Sequence, residues 1–293
     1  VDGQKTRKMD TLNMAKTSAA EMASLVFNEK CEISIGDNEN TTAEFIFDVF
    51  KHNKFNKKFQ DFLEYSFSMG GMVIKPYVED DQVKLSFVTA DCFIPISWQN
   101  ESIREGVFIN ETQKGRKKYT LLEWHVWENG VYTVKNELYE SETGADLGRK
   151  VSLDRLYPGL EPVVGMPKIK KPIFVYFKPN TANNFDTQSP LGISLYANAL
   201  SVMKSIDTAF DSFHREFRLG KKRIIVPESM VKTVPDPHTG KIQRYFDATD
   251  ETYESFNTGN MDDAKIHDIS VELRVEEHIS AINALLNIFA MQT

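Results

Sequence analysis

Cysteine is nearly missing from this chain of 293 residues: Cys31 and Cys92 are its two, and there is no CxxC. That excludes a disulfide framework and a cysteine-rich zinc site, and reads as two buried, reduced thiols. Long apolar runs are missing as well. No stretch approaches the ~20 apolar residues that a membrane helix needs, and the polar start VDGQKTRKMD is no secretory signal. An excess of basic residues is also missing, since 35 Lys and Arg face 42 Asp and Glu for a net charge of −7. Such a balance excludes a protein that grips nucleic acid over its whole surface, but not one past which nucleic acid slides.

The usual catalytic signatures are missing too. There is no GxGxxG, GxSxG, HExxH or GxxxxGK[ST], and Gly220-Lys221-Lys222 lacks the earlier glycine and the hydroxyl residue of a phosphate loop. His52, His125, His214, His238, His267 and His278 are scattered at spacings that match no metal site. Asp80-Asp81 and Asp262-Asp263 read most simply as solvated turn charges. No nucleophile stands beside a base, so neither catalysis nor a cofactor nor a metal is expected.

What is present is a globular composition, 41% hydrophobic and 26% charged, with 20 Phe. From Leu12 to Phe27 the apolar residues recur at helical spacing, with Asp10 or Thr11 as cap. Cys31 to Asn38 alternates and predicts a short strand. Phe45, Ile46, Val49 and Phe50 mark one helix, and Phe55, Phe59, Phe62, Leu63 and Phe67 a second, stopped by Gly70-Gly71. From Met72 to Tyr139 the period changes to two. The runs MVIKPYV, QVKLSFV, CFIPISW, IREGVFINET, KYTLLEWHVWE and VYTVKNELYE predict an antiparallel meander with one face on the Phe-rich helices. Asn129-Gly130 is its best hairpin signal. PIFVYFK (Pro172–Lys178) predicts a short buried strand, and an Asn-rich linker follows.

The chain is organised around SPLGISLYANALSVMKSIDTAFDSFHREFRLG. Ser189 as cap and Pro190 at the first position predict one helix running to Leu219, roughly 45 Å long at ~1.5 Å per residue. Leu200, Met203, Ile206, Phe210, Phe213 and Phe217 form its apolar stripe. The opposite face carries Ser201, Ser205, Thr208 and Ser212, flanked by Lys204, Asp211 and Arg215. Small hydroxyls there are poorer helix formers than Glu or Lys. They read either as a plain solvent face or as one that something approaches closely. Asp211 and Arg215 stand at i and i+4, a spacing that allows them to pair. Beyond Gly220, KKRIIVPESMV is a basic strand, IQRYFD its return, and Ala248–Asp268 an acidic stretch. Val271 opens a last helix whose apolar stripe reaches the final residues. That stripe and a start without Met are expected of a piece of a longer protein.

This order of elements resembles the portal (head-to-tail connector) proteins of tailed bacteriophages, in the type found in siphophages and prophages of Gram-positive hosts. MAKTSAAEMASLVFNE, FNKKFQDFLEYSFSMGG, YTLLEWHVW with NELYES, SPLGISLYANA and INALLNIFAMQT carry the resemblance, which covers the chain from Leu12 onward. It implies an α+β fold: a wing over residues 1–188 of Phe-rich helices packed on an antiparallel β meander, then two long stem helices bracketing a small β-containing clip. The first stem helix is expected over 189–219, the clip over 220–269 and a truncated second stem helix over 270–293. It implies a homo-oligomeric ring, usually a dodecamer when the protein is full length, while loss of the C-terminal segments allows a fragment to stay monomeric. Double-stranded DNA passes through the channel in packaging and ejection. Partners implied are terminase, neck and head-completion proteins, scaffold and major capsid protein, with no membrane. The setting implied is a virion capsid vertex, assembled in the cytoplasm of a bacterial host. On this reading Ser201, Lys204, Thr208, Asp211 and Arg215 line the channel. Lys221, Lys222, Arg223 and Arg244 either dock partners on the clip or simply complement a helix end and a sheet edge. The rival readings are another virion adaptor or tail component, and a metal-dependent phosphodiesterase built on Asp80 and Asp81 or Asp262 and Asp263.

Overall fold

Three helices precede the strands: α1 (Met14–Val26), α2 (Thr41–His52) and α3 (Phe55–Met69). They belong to a computed structural model that describes residues 7–36, 41–142, 144, 146–220, 223–225, 232–235, 242–245, 267–269 and 272–293. The helix expected from Leu12 begins instead at Met14, after Asn13 in a left-handed conformation (φ 52°). The strand expected from Cys31 does not form over residues 31–36. Cys31 and Ile33 pack against the helical core, and the Cys31 N–H donates to the Asn28 carbonyl (3.0 Å), a local turn rather than a ladder. The break between α2 and α3 is built around Asn53, which is 5% exposed. Its amide nitrogen donates to the carbonyls of Val49 (2.8 Å) and Val83 (3.0 Å), and its oxygen accepts the N–H of Leu85 (2.9 Å).

The alternating runs form two sheets, not the single meander expected. The smaller has the order β2–β1–β9, with β1 (Met72–Glu79), β2 (Gln82–Thr89) and β9 (Val175–Phe177) all antiparallel. A 3-10 turn at Ala90–Cys92 ends that hairpin and starts the larger sheet. Its order is β3 (Phe93–Gln99), β4 (Ser102–Lys114), β5 (Lys117–Glu128), β6 (Val131–Ser141) and β7 (Arg149–Val151), with β8 (Val163–Met166) also paired to β6. Asn129 and Gly130 (φ 49° and 78°) take the left-handed values of a two-residue hairpin turn, and so do Asp80 and Asp81 (φ 51° and 57°). The carboxylates of the β1–β2 turn are thus turn residues.

Strand β1 explains why two sheets are needed. Met72 and Val73 point to opposite faces and are both fully buried. Met72 joins Ala19, Ala23, Phe27, Leu63, Phe67 and Leu195 in the helical core, while Val73 joins Phe93, Ile103, Phe108 and Phe174 between the sheets. Each such side chain contributes roughly 1.5–3 kcal/mol on burial.

The long helix is shorter than its sequence predicts. Residues 189–196 are irregular, a 3-10 turn spans Ala197–Ala199, and α4 runs over Leu200–Leu219, 20 residues or roughly 30 Å. Ser189 and Pro190 do not start it. The reason is tertiary: the Leu195 N–H donates to the carbonyl of Phe67 (2.8 Å), and Gly192 lies so close to Gly70 that a Cβ on it would stand 2.4 Å from the Gly70 oxygen. Those contacts outweigh local helical preference. Beyond α4 lie β10 (Arg223–Ile225), β11 (Lys232–Pro235), β12 (Ile242–Tyr245), β13 (His267–Ile269) and α5 (Val275–Gln292). The last helix begins four positions later than Val271. By contact density the chain divides into two units, Asn13–Met203 with Phe289–Thr293, and Val1–Leu12 with Lys204–Ile288. Among the described residues no helix is long and apolar enough to cross a membrane.

Candidate functional site

Helix α4 presents two faces of different chemistry. Ile206 is fully buried, and Phe210 and Phe213 are half-buried on the apolar side. Ser201, Lys204, Ser205, Thr208, Ser212 and Arg215 are exposed along the other. The hydroxyls are partly turned inward: Thr208 Oγ1 donates to the carbonyl of Lys204 and Ser212 Oγ to that of Thr208, each at 2.8 Å. Such back-bonding to the preceding turn occupies the hydroxyl proton. The face therefore offers an approaching anion fewer donors than its composition suggests.

Asp211 does not join that exposed row. It is 6% exposed, and its carboxylate accepts two hydrogen bonds from Arg7, at 2.7 and 2.5 Å, and one from the Asp10 N–H at 3.1 Å. The Arg7 hydrogen bond, more than any other influence, holds its pKa down at about 2. Arg215, the expected i+4 partner, adds only a distant attraction. One turn earlier, Asp207 accepts the Leu12 N–H at 3.0 Å. Residues 7–12 thus lie along the edge of α4 as a strap. Sequence reasoning missed Arg7 because nothing local marks a partner 204 positions away.

At the other end of α4, Glu216 accepts from Arg274 at 3.1 and 3.0 Å, with His278 Nε2 at 3.7 Å. The hydrogen bond from Arg274 lowers the Glu216 pKa below the usual carboxylate range. Phe213 packs against the His278 ring, 5.7 Å between centroids. A Cβ on Gly220 would stand 2.5 Å from Leu273. These contacts bring the end of α4 beside the start of α5. Between them the chain leaves on β10 and returns on β13, which pair antiparallel with Arg223 opposite Ile269. A second ladder, β11 with β12, sets Thr233 opposite Arg244. Arg223 and Arg244 therefore stand in different ladders. Lys221 and Lys222 lie outside the described residues.

Among the described residues the order is thus a helix, short strands and a second helix that starts beside the first one's end. The family model for phage portal proteins of the SPP1 Gp6-like type matches residues 2–293. The chain belongs to the phage portal protein family. No curated protein matches it. Portal proteins are structural components of the virion rather than enzymes.

A cluster of buried titratable groups in this portal chain lies elsewhere. Glu123 meets Lys75 at 2.5 Å and His125 Nε2 at 2.6 Å, and His125 Nδ1 is 2.7 Å from the Tyr132 hydroxyl. The Tyr132 hydroxyl also accepts the Ile173 N–H at 3.3 Å. Burial alone raises the Glu123 pKa, but His125 and Lys75 outweigh it and hold the carboxyl at about 2. Burial raises the Tyr132 hydroxyl far above its ordinary value. Both ring nitrogens of His125 are occupied and the side chain is 1% exposed, so the chain of contacts ties β1, β5 and β6 together rather than offering a base to a substrate. Among the described residues no group of three or more His, Cys, Asp or Glu is arranged to hold a metal. Of the carboxylates that a phosphodiesterase would need, Asp80 and Asp81 form a hairpin turn, while Asp262 and Asp263 lie outside the described residues.

Proposed function

We propose that this chain is the part of a portal subunit that builds the wall of a DNA conduit at the capsid vertex, in a homo-oligomeric ring through which double-stranded DNA is packaged and ejected. The wing comprises residues 1–188, α4 and α5 belong to the stem, and the strands between them to the clip. The observation that carries this reading is the exposed hydroxyl face of α4, on a helix whose far end is locked to α5 through Glu216 and Arg274. A conduit must not hold the polyanion it passes, because each phosphate neutralised by a fixed cation adds affinity by counterion release. An acidic chain with back-bonded hydroxyls on one helix face suits such a wall. Ser201, Lys204, Thr208 and Arg215 lie on the channel side, with Asp211 at its margin under the Arg7 strap.

Terminase, and later neck and head-completion proteins, dock on the clip through Lys221, Lys222, Arg223 and Arg244, while scaffold and major capsid protein meet the wing. Charge reversal at Lys222 and Arg223 impairs motor docking in a packaging assay; unchanged packaging removes that assignment. The test of the conduit itself is the structure of the assembled ring of the full-length protein. Ser205, Thr208 and Ser212 are expected to face its axis. Phe210, Phe213 and Phe217 on the axis would overturn the reading.

A further inference from the structure

Many cations of this acidic chain have a carboxylate beside them. Lys117, Arg149 and Arg155 share Glu140, Lys75 meets Glu123, and Lys150 meets Glu137. Others stand free of one among the described residues, and three of these gather around a single groove. Arg104, near the start of β4, and Lys170 and Lys171, ahead of β9, line a groove of about 420 Å³. All three are exposed, and none has a hydrogen-bond or ion-pair partner among the described residues. The carboxylate in the lining, Glu101, is already held by Lys178 at 2.8 Å, whose hydrogen bond lowers its pKa. The groove therefore concentrates uncompensated positive charge on a chain whose net charge is −7.

The floor between these cations is apolar, formed by Ile103, Trp127, Pro172 and Phe174, with Val175 67% exposed at the rim. Strand β9, which begins at Val175, has a sheet neighbour on one side only. We propose that this groove binds an extended acidic segment of a partner protein, one that alternates carboxylate and apolar side chains. Carboxylates on one side of such a strand meet Arg104, Lys170 and Lys171. Apolar side chains on the other side cover the floor, and the open edge of β9 offers main-chain hydrogen bonds.

Nucleic acid fits less well. Single strands bind by stacking bases on free aromatic faces. Here Trp127 already packs edge-to-face with Tyr132 at 5.1 Å, and Tyr176 stacks on Phe93 at 5.9 Å. A duplex is too broad to enter a groove of this volume and reaches only the rim cations.

The test uses the whole chain and fluorescence anisotropy with a short labelled peptide of alternating Glu and Val. The peptide is expected to bind, to be released by added salt, and to lose about tenfold or more in affinity in the K170E/K171E variant. A peptide of alternating Lys and Val is expected not to bind. The K114E/R116E variant is the control, since it reverses two exposed cations at the β4–β5 turn, outside the groove. Equal peptide affinity in K170E/K171E, equal loss in K114E/R116E, or no binding of the acidic peptide overturns the proposal. Tighter binding of an oligothymidylate or a duplex of matching length overturns it in favour of nucleic acid. The groove and its test stand whether or not α4 lines a channel.

Discussion

The guanidinium of Arg7 clasps the carboxylate of Asp211 through two parallel hydrogen bonds of 2.7 and 2.5 Å, across 204 positions of the chain. With the Asp10 N–H on the same carboxylate and the Leu12 N–H on Asp207, it fixes residues 7–12 to α4. Replacing Arg7 by Ala removes the strap's bidentate charged anchor and leaves weaker contacts, among them the two amide bonds and Asp10 with His214 at 3.6 Å. Exchange of the Asp10 and Leu12 amides is then expected to accelerate by about tenfold or more, with the exchange of β5 and β6 unchanged. Asp211→Asn keeps the volume but loses one acceptor and the charge, and is expected to act in the same direction. Unaltered exchange in both variants removes the anchor role.

The same contacts fix a pH dependence. The Asp211 carboxyl lies at about 2 in the folded chain against an ordinary 3.8, and Glu123 at about 2 against 4.5. Both folded values are depressed, so the unfolded chain binds more protons over this interval and stability falls as the pH falls. The contribution is present in full above the ordinary values and is lost as the pH drops through them toward about 2. Denaturant midpoints measured at pH 6, 4 and 3 are expected to decline in that order, with Glu123→Gln flattening the decline. A flat wild-type profile over that range would contradict the assigned pairs.

Much of this was legible in the sequence, and the failures share a cause. Periodicity marked α2, α3, β1 to β6 and the middle of the α4 stripe, because each follows from which face is buried; Leu200 and Phe217, at the ends of that stripe, stand exposed. It missed the start of α4, because Ser189-Pro190 is a good local helix opening that Gly192, Leu195 and Tyr196 override through contacts with α3 and β9. It joined the strands into one meander, because alternation says which face of a strand is buried but not where a sheet ends. Of the candidate site, the hydroxyl face was legible as a row at helical spacing. The Arg7–Asp211 and Glu216–Arg274 pairs were not, since their partners are far apart in the chain and no local spacing announces them.

Gly70 and Gly115 separate two costs that glycine substitution usually mixes. Both have positive φ, 88° and 66°, but a Cβ on Gly115 meets nothing within 4 Å, while one on Gly70 stands 2.6 Å from the Gly192 oxygen. Gly115→Ala is expected to cost about 1 kcal/mol, the conformational term alone. Gly70→Ala must also push the 189–196 segment away and is expected to cost about 3 kcal/mol or more. Thermal or denaturant unfolding of the two variants measures the difference. Equal losses would mean that the Gly70–Gly192 approach does not constrain the fold.

Asn53 offers a comparison of the same kind for polar burial. Ala at this position leaves the Val83 carbonyl and the Leu85 N–H without their bonds and is expected to cost about 2–3 kcal/mol. Asp keeps the acceptor for Leu85 but turns a carboxylate toward the carbonyls of Val49 and Val83, now 2.8 and 3.0 Å from the amide nitrogen. Asn53→Asp is therefore expected to be at least as damaging as Ala at neutral pH, and to recover in part as the pH falls and its carboxyl takes a proton to donate. Equal stability of the Asp variant and the wild type at pH 7 would show that the amide donors contribute nothing.

The last prediction separates a wall that merely tolerates DNA from one whose chemistry matters. Thr208 and Ser212 satisfy their hydroxyls on the preceding turn, so Thr208→Val and Ser212→Ala remove little that a passing phosphate meets. Full-length rings carrying either change are expected to package DNA within about twofold of wild type, with any stability change small at these exposed positions. Thr208→Lys and Ser212→Lys instead place a ring of cations on the same face. Each subunit then gains a phosphate contact, and counterion release multiplies over the ring. Translocation is expected to slow by about tenfold or more at low salt and to recover as salt is raised. Thr208→Glu is the opposing control: it adds charge and bulk without phosphate affinity, so slowing by Lys that Glu reproduces would indicate steric obstruction. If neither Lys variant slows packaging at any salt concentration, this face of α4 does not meet the DNA.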